Sequence, residues 1–299
     1  MDTATSITRE LQSKARHRSF LEETFIRLVR EKPLGTAGGV IVLLMVLMAI
    51  FAAQLSPYSP YDTVSREGLV GPGAQFWFGT DNLGRDLLSR VIYGARSSLY
   101  VGLLAVAIGT TLATALGLVC GFFGKRLDIV IQRVVDAVMA FPWLILVLSI
   151  MAIIGPSLTN VAIVIGLLTT AGNSRIIRGA VMTVKENQYI EAARSIGAGN
   201  LRIILRHVLP NVAAPIIVIA TLGLGSAILA ESSLSFLGYG VPPPEPAWGS
   251  MLSGPGRTYM LRGPWMAIFP GIAISLAVYG FDMLGDALRD VLDPKLRGR

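Results

Sequence analysis

Residues 137–174 read AVMAFPWLILVLSIMAIIGPSLTNVAIVIGLLTTAGNS, 38 positions without an Asp, Glu, Lys or Arg. A helix needs about 20 apolar residues to cross the hydrocarbon core of a bilayer, so this run is long enough for two crossings. Gly155-Pro156, near its middle, is a turn signal. It divides the run into expected spans at 136–154 and 158–173. The same reading extends in both directions. Segments 33–61, 97–124, 207–230 and 263–281 also lack those four residue types. They predict spans at 36–55, 98–121, 212–231 and 265–284. The expected architecture is an all-α polytopic membrane protein with six transmembrane helices.

Composition supports this. Of 299 residues, 53% are hydrophobic and 15% charged, against roughly 25% charged in an average soluble domain. Mean hydropathy is +0.61. A soluble enzyme would lack a charged skin, and a disordered chain would lack this much apolar content. The first expected span sits too far from the N-terminus to read as a signal peptide, so an uncleaved anchor is expected. The single cysteine, Cys120, rules out an internal disulfide framework and a zinc–cysteine cluster. It reads as a small apolar residue within a span.

The net charge of +7 and pI of about 9.8 could point to nucleic acid. Their distribution points to topology instead. With the N-terminus in the cytoplasm, the cytoplasmic segments hold 20 of the 26 Lys and Arg residues and the external segments 6. That bias predicts an N-in, C-in chain. Its divisions are a cytoplasmic amphipathic segment, 1–35; a first span and external loop, 36–97; a core of five spans, 98–284; and a cytoplasmic tail, 285–299.

Several features lie between and within the spans. Segment 18–32 has a capping-box spacing at Ser19 and Glu22 and an apolar face of Leu21, Phe25, Leu28 and Val29. It reads as an interfacial anchor or as a partner-binding arm. Leu87, Val91, Ala95 and Leu99 follow a helical period and predict a short amphipathic helix on the outer surface, leading into the second span. Ala105, Gly109, Ala113, Gly117 and Gly121 recur every four positions. Such a ridge lets a second helix approach closely in lipid, within this chain or in another.

The cytoplasmic loop 174–211 is richer. Ile176, Ile177, Ala180, Val181 and Val184 predict one apolar face. Ala192, Ala193 and Ile196 predict another, on a short helix. Gly197 and Gly199 permit sharp turns, Asn200 can cap the next helix, and Pro210 closes it. A short small-faced helix held between two turns suits a groove on a cytoplasmic partner; the plainer alternative is a compact loop that caps the bundle.

Chemistry of its own is sparse. Gly124-Lys125 lacks the earlier glycine and the following hydroxyl of a phosphate loop, and His17 and His207 are the only histidines. No nucleophile elbow occurs. Asp136, Glu231 and Asp282 are the acids at or near span ends, where water is expected to solvate them. No ionisable group falls at mid-span, which argues against a proton-coupled carrier. A self-sufficient carrier or channel, and a scaffold without transport, remain as other classes.

The run Glu191-Ala192-Ala193, Gly197 and His207-x-Leu209-Pro210-Asn211 resembles the EAA loop of binding-protein-dependent ABC importer permeases. Histidine before Leu-Pro-Asn is similar to the peptide/nickel branch. Three further stretches resemble that branch: 78–90 (FGTDNLGRDLLSR), 231–240 (ESSLSFLGYG) with Trp248-Gly249, and the tail 285–294. The likeness runs from about residue 20 to 296 and identifies the chain as a C-type permease subunit of dipeptide/oligopeptide/nickel importers. The resemblance implies the type I importer permease fold in the inner (cytoplasmic) membrane, half of a translocation pathway, and no enzymatic activity in this chain. It implies a homologous B-type permease, two cytoplasmic ATPases that bind ATP and Mg, and an extracytoplasmic binding protein as partners, with no cofactor held by this chain. Glu191, Ala192, Ala193 and Gly197 would then couple to the ATPase, while His207 and Pro210 shape the loop's return to the fifth span. Glu231, Ser235 and Phe236 become an outer gate or docking surface, or simply a structural corner. Di- or oligopeptides are the leading cargo. Nickel chelates and glutathione are the other choices within the family, and no His-rich or carboxylate-rich external loop favours a metal.

Overall fold

The computed structural model describes residues 28–292, all of whose regular elements are helical. Segment 18–27, with the Ser19–Glu22 capping box, lies outside the described residues, as does 293–299. Eight helices carry the argument: α1 (Pro33–Ile50), α2 (Leu87–Phe123), α3 (Lys125–Ala140), α4 (Trp143–Ile154), α5 (Leu158–Lys185), α6 (Gln188–Ser195), α7 (Ala213–Phe236) and α8 (Trp265–Leu292). Among the described residues, five helices are long and apolar enough to cross a membrane, and a bent pair counts as a sixth only when its two helices are taken as one broken span.

That bent pair is α3 with α4, which meet at 89°. Pro142 is the cause. It has no N–H to donate, and it pushes the preceding Phe141 into extended backbone (φ −83°, ψ 140°). The expected span 136–154 is therefore broken. The 12 residues of α4 reach about 18 Å at 1.5 Å per residue, short of a hydrocarbon core of about 30 Å. The amphipathic α3 is held to α5 by charge: Arg178 Nε donates to Asp128 at 2.6 Å, and Arg175 pairs with Asp136. Asp136, expected to be merely solvated, is ion-paired.

The amphipathic stretch 87–99 is not a separate surface helix. It continues without a break into the second span, making α2 a 37-residue helix, about 55 Å long. Its start is fixed by Asp86, whose carboxylate accepts the Ser89 N–H at 2.8 Å and the Ser89 hydroxyl at 2.6 Å. No helix breaker intervenes before Gly124. The apolar period 87, 91, 95, 99 faces the protein interior, against Ile228, Trp248 and Phe281. The 97/98 division thus falls inside α2, and the 284/285 division inside α8.

The small-residue ridge of α2 packs within this chain, against α5. A Cβ at Gly117 would come within 2.7 Å of Ile177 Cγ2, and one at Gly121 within 2.7 Å of Val181 Cβ. One at Gly166, on the facing helix, would meet the Ala105 carbonyl at 2.7 Å. Gly117→Leu is therefore expected to drive α2 and α5 apart, at a cost of about 1–3 kcal/mol for overpacking. A lowered melting temperature of the purified complex and weaker accumulation in membranes would show it; an unchanged Tm would contradict the seam.

α1 closes on α8 in the same manner. A Cβ at Gly38 would lie 2.7 Å from the Gly280 carbonyl, and Lys32 pairs with Asp290 at 2.5 Å. Three apolar clusters result: one at the outer end, one in the middle between α2, α4, α5 and α7, and one at the cytoplasmic end under α6. α2 contributes to all three.

Candidate functional site: a cytoplasmic loop, an outer corner and a cavity

The first part of the expected loop 174–211 is an extension of α5, which runs to Lys185. Ile177 and Val181 are fully buried there, whereas Ile176 is exposed, so the expected single face is divided. α6 follows. Ile190 and Ala193, three apart on one face, are buried against Phe122, Val181 and Ile203. Arg194 sits over the Phe122 ring at 5.4 Å and Lys185 at 5.9 Å, within reach of a cation–π attraction. Glu191 and Ala192 point outward, and Ile196 is 86% exposed. The expected face of Ala192, Ala193 and Ile196 is therefore split: Ala192 and Ile196, four apart, share the exposed side, and Ala193 turns inward. Ala193 anchors the helix to its own chain; Glu191 and Ala192 remain for a partner.

The turn after α6 is a Schellman motif. Gly197 N–H donates to the Arg194 carbonyl at 2.9 Å and Ala198 N–H to the Ala193 carbonyl at 3.0 Å. Gly197 has φ +82°, and a Cβ there would meet nothing within 4 Å, so the demand for glycine is conformational. Asn200 does not cap the next helix. It is the first helical residue, with Gly199 before it in extended backbone. Pro210 cannot donate to the Arg206 carbonyl, and the helix adjusts with a π turn, Ile204–Val208, followed by a 3₁₀ turn, Leu209–Val212. His207 lies half-buried in the π turn, where its carbonyl accepts from Asn211 at 2.6 Å. Both residues lie in the segment that leads back to α7.

At the outer end, Glu231 is fully buried, contrary to the expectation of a solvated span-edge acid. The reason is that α7 continues to Phe236 and the segment after it folds back. The carboxylate accepts from Ser235 at 2.6 Å, and from Ser98 and Ser232 at 3.4 Å each. No Lys, Arg or His pairs with it among the described residues. Trp248 wedges between α7 and α2, its indole N–H donating to the Val91 carbonyl at 2.9 Å. Gly94 makes room for that ring and Gly249 for the Ser232 backbone: an added Cβ would lie 2.6 Å from Trp248 Cδ1 and 2.2 Å from the Ser232 carbonyl oxygen. Phe236 is exposed on another face of α7. The expected trio therefore divides into a buried Glu231–Ser235 pair and a separate Phe236.

The stretch 78–90 is a folded cap on this corner. Asp81 accepts from the Leu83 and Arg85 N–H groups at 2.8 and 3.0 Å and from Arg85 Nε at 2.7 Å. Arg90 donates to the Pro60 carbonyl at 2.8 Å. Periodicity did not reveal these roles; the density of Asp, Arg and Gly in so short a stretch was the available signal.

Between the outer corner and the cytoplasmic loop, α2, the α3–α4 elbow, α5 and α7 enclose a cavity of about 490 Å³. Its wall is apolar except for uncharged groups such as Thr110, Thr169, Asn173 and Ser226. Among the described residues no cluster of three or more His, Cys, Asp or Glu is placed to hold a metal.

The fold is that of a type I ABC importer permease. A chain of the MetNI methionine ABC transporter, solved in an inward-facing conformation, superposes with a TM-score of 0.55 at 17% identity, covering 68% of this chain and 97% of that one. The chain belongs to the family described as binding-protein-dependent transport system inner membrane component, whose model matches residues 113–298. Residues 19–72 match the N-terminal TM domain of oligopeptide transport permease C. The dipeptide transport system permease protein DppC of Alkalihalophilus pseudofirmus is 45% identical, over 92% of this chain and 90% of its own. The glutathione transport system permease protein GsiD of Escherichia coli is 41% identical over the same shares. A putative peptide transport system permease of Brucella suis is 42% identical over 91% and 90%. The protein is thus a multi-pass inner-membrane permease subunit that works with an ATPase and a binding protein, and is not itself a catalyst.

Proposed function

We propose that this chain is the C-type half of a heterodimeric permease for small peptides, with both termini in the cytoplasm and α6 as the helix gripped by an ATPase. The observation that carries this reading is the two-sided burial of α6. Ile190 and Ala193 fix it to the ends of α2 and α5, while Glu191 and Ala192 face outward. A partner that moves α6 must move those helix ends with it. ATP then shifts an inward/outward equilibrium because the closed ATPase dimer fits one state better. Peptide cargo is supported by the dipeptide, glutathione and peptide transporters among the relatives. Glutathione is itself a peptide, so it falls within the same chemistry.

The direct test is uptake by the reconstituted assembly of both permeases, two ATPases and the binding protein. ATP-dependent import of a dipeptide is expected; import by this chain alone without ATP would refute the reading. Cysteine scanning sharpens it. Ala192→Cys should cross-link to an ATPase subunit in the assembled complex, and Ala193→Cys, 7% exposed, should not. Equal cross-linking at both positions would count against the orientation of α6.

A further inference from the structure

A second cavity, of about 380 Å³, lies on the outer side of the same helices. Its wall combines the 81–90 cap, Pro156 at the α4–α5 turn, Ser235 at the end of α7 and the 238–253 segment. Ala227 lines the central cavity and Ser235 the outer one. Eight residues of helix place these two positions about 12 Å apart along α7. The outer cavity is charged where the central one is not. Asp81, Arg85, Arg90 and Glu245 all line it.

The four charges are not equally engaged. Asp81 and Arg90 are buried and spent on the fold, through the backbone contacts described above and a 3.7 Å ion pair between them. Arg85 commits only its Nε, to Asp81, so its two terminal nitrogens have no hydrogen-bond partner among the described residues. Glu245 is exposed and accepts from the Tyr61 hydroxyl through Oε2 alone, at 3.0 Å. A fork of cationic donors and a half-committed carboxylate therefore share one concave wall. Arg is suited to carboxylates because its planar donors match them in pairs, and a carboxylate is the natural acceptor for an ammonium group.

We propose that this outer cavity is a reception subsite for the charged termini of a small zwitterionic peptide, Arg85 taking the carboxylate and Glu245 the ammonium group. The inference rests on the peptide reading above and deepens it. The central cavity offers no charged group to either terminus, so a peptide entering it must leave its counter-charges behind. The outer wall is where this chain holds them.

The test uses the assembled ATPase–permease complex in nanodiscs and the dipeptide alanyl-photoleucine as a photoaffinity probe. Labelling is expected on peptides spanning 81–90 and 238–253. Free alanyl-alanine should suppress it, and N-acetyl-alanyl-alanine, which lacks only the ammonium group, should need roughly tenfold more to do so, the ratio for one lost charged contact. Glu245→Gln keeps an acceptor for Tyr61 and leaves the fold's own bonds intact. In that variant the blocked and free dipeptides are expected to compete within about twofold of each other. Labelling confined to the Phe141–Trp143 elbow or to Thr169–Asn173 would overturn the outer subsite, as would equal competition by both dipeptides in the unmodified protein. Either result leaves the permease reading standing if the same complex, supplied with its binding protein, imports dipeptide on ATP. Loss of that import as well would bring down both.

Discussion

Gly197→Val is expected to leave the importer assembled and to reduce ATP-driven uptake by more than about tenfold. The position needs φ +82°, and a side chain there meets no neighbour, so the penalty comes from the backbone. A left-handed residue costs roughly 1–2 kcal/mol outside glycine, with Asn and Asp least affected and a β-branched residue most. The residue closes the Schellman motif that returns the chain from α6 to the bundle, and a relaxed turn swings Glu191 and Ala192 out of register with the ATPase. A series should follow from this. Gly197→Asn stays near the unmodified rate, Gly197→Ala is intermediate, and Gly197→Val is most impaired. Gly197→Asp falls below Asn because it adds negative charge at a helix C-terminus. Uptake in proteoliposomes, normalised to assembled complex, checks the order. A flat series would mean that the turn's conformation does not matter to coupling.

Glu231→Ala is expected to be the most destabilising change in the outer half. It strips the shared acceptor from Ser98, Ser232 and Ser235 and leaves a void at a fully buried position. Each stranded buried hydroxyl costs about 1–3 kcal/mol, less where it can turn back to its own helix carbonyl. A net loss of about 3 kcal/mol is the expected scale once the void is included. Glu231→Gln keeps an oxygen for the Ser235 hydroxyl and should recover most of the stability and uptake. Thermal unfolding of the detergent-solubilised complex, with uptake alongside, reads both variants. If Gln and Ala were equally damaging, the negative charge rather than the acceptor would be what the site needs.

The spans were legible because an uncharged run answers a single strong requirement, the thickness of a bilayer. The places where the sequence reading went astray are those where that requirement is silent. Nothing in hydropathy says that α2 continues outward past Leu99 towards Asp86, since an amphipathic surface helix and a helix packed on Trp248 present the same period. The break at Phe141-Pro142 was written in the chain, yet the uncharged stretch around it looked like one crossing. The α6 motif was visible as residues, but which of two adjacent alanines faces inward depends on where Phe122 and Ile203 lie. The burial of Glu231 is not written locally, because its carboxylate turns towards Ser98 on α2, 133 residues away in sequence.

One consequence of the unbroken α2 concerns timing. Phe122, at one end, faces Arg194 of α6, and Val91, at the other, holds the Trp248 indole. An unbroken helix of this length resists bending, so under the coupling proposed for α6 a displacement of its cytoplasmic end is expected to reach its outer end. The elbow between α3 and α4 is the opposite kind of part, an 89° break in the chain's course beside an unbroken rod. Under the coupling proposed for α6, nucleotide state and outer-surface state are wired in series, and the external face is expected to register each turn of the motor in the same stroke.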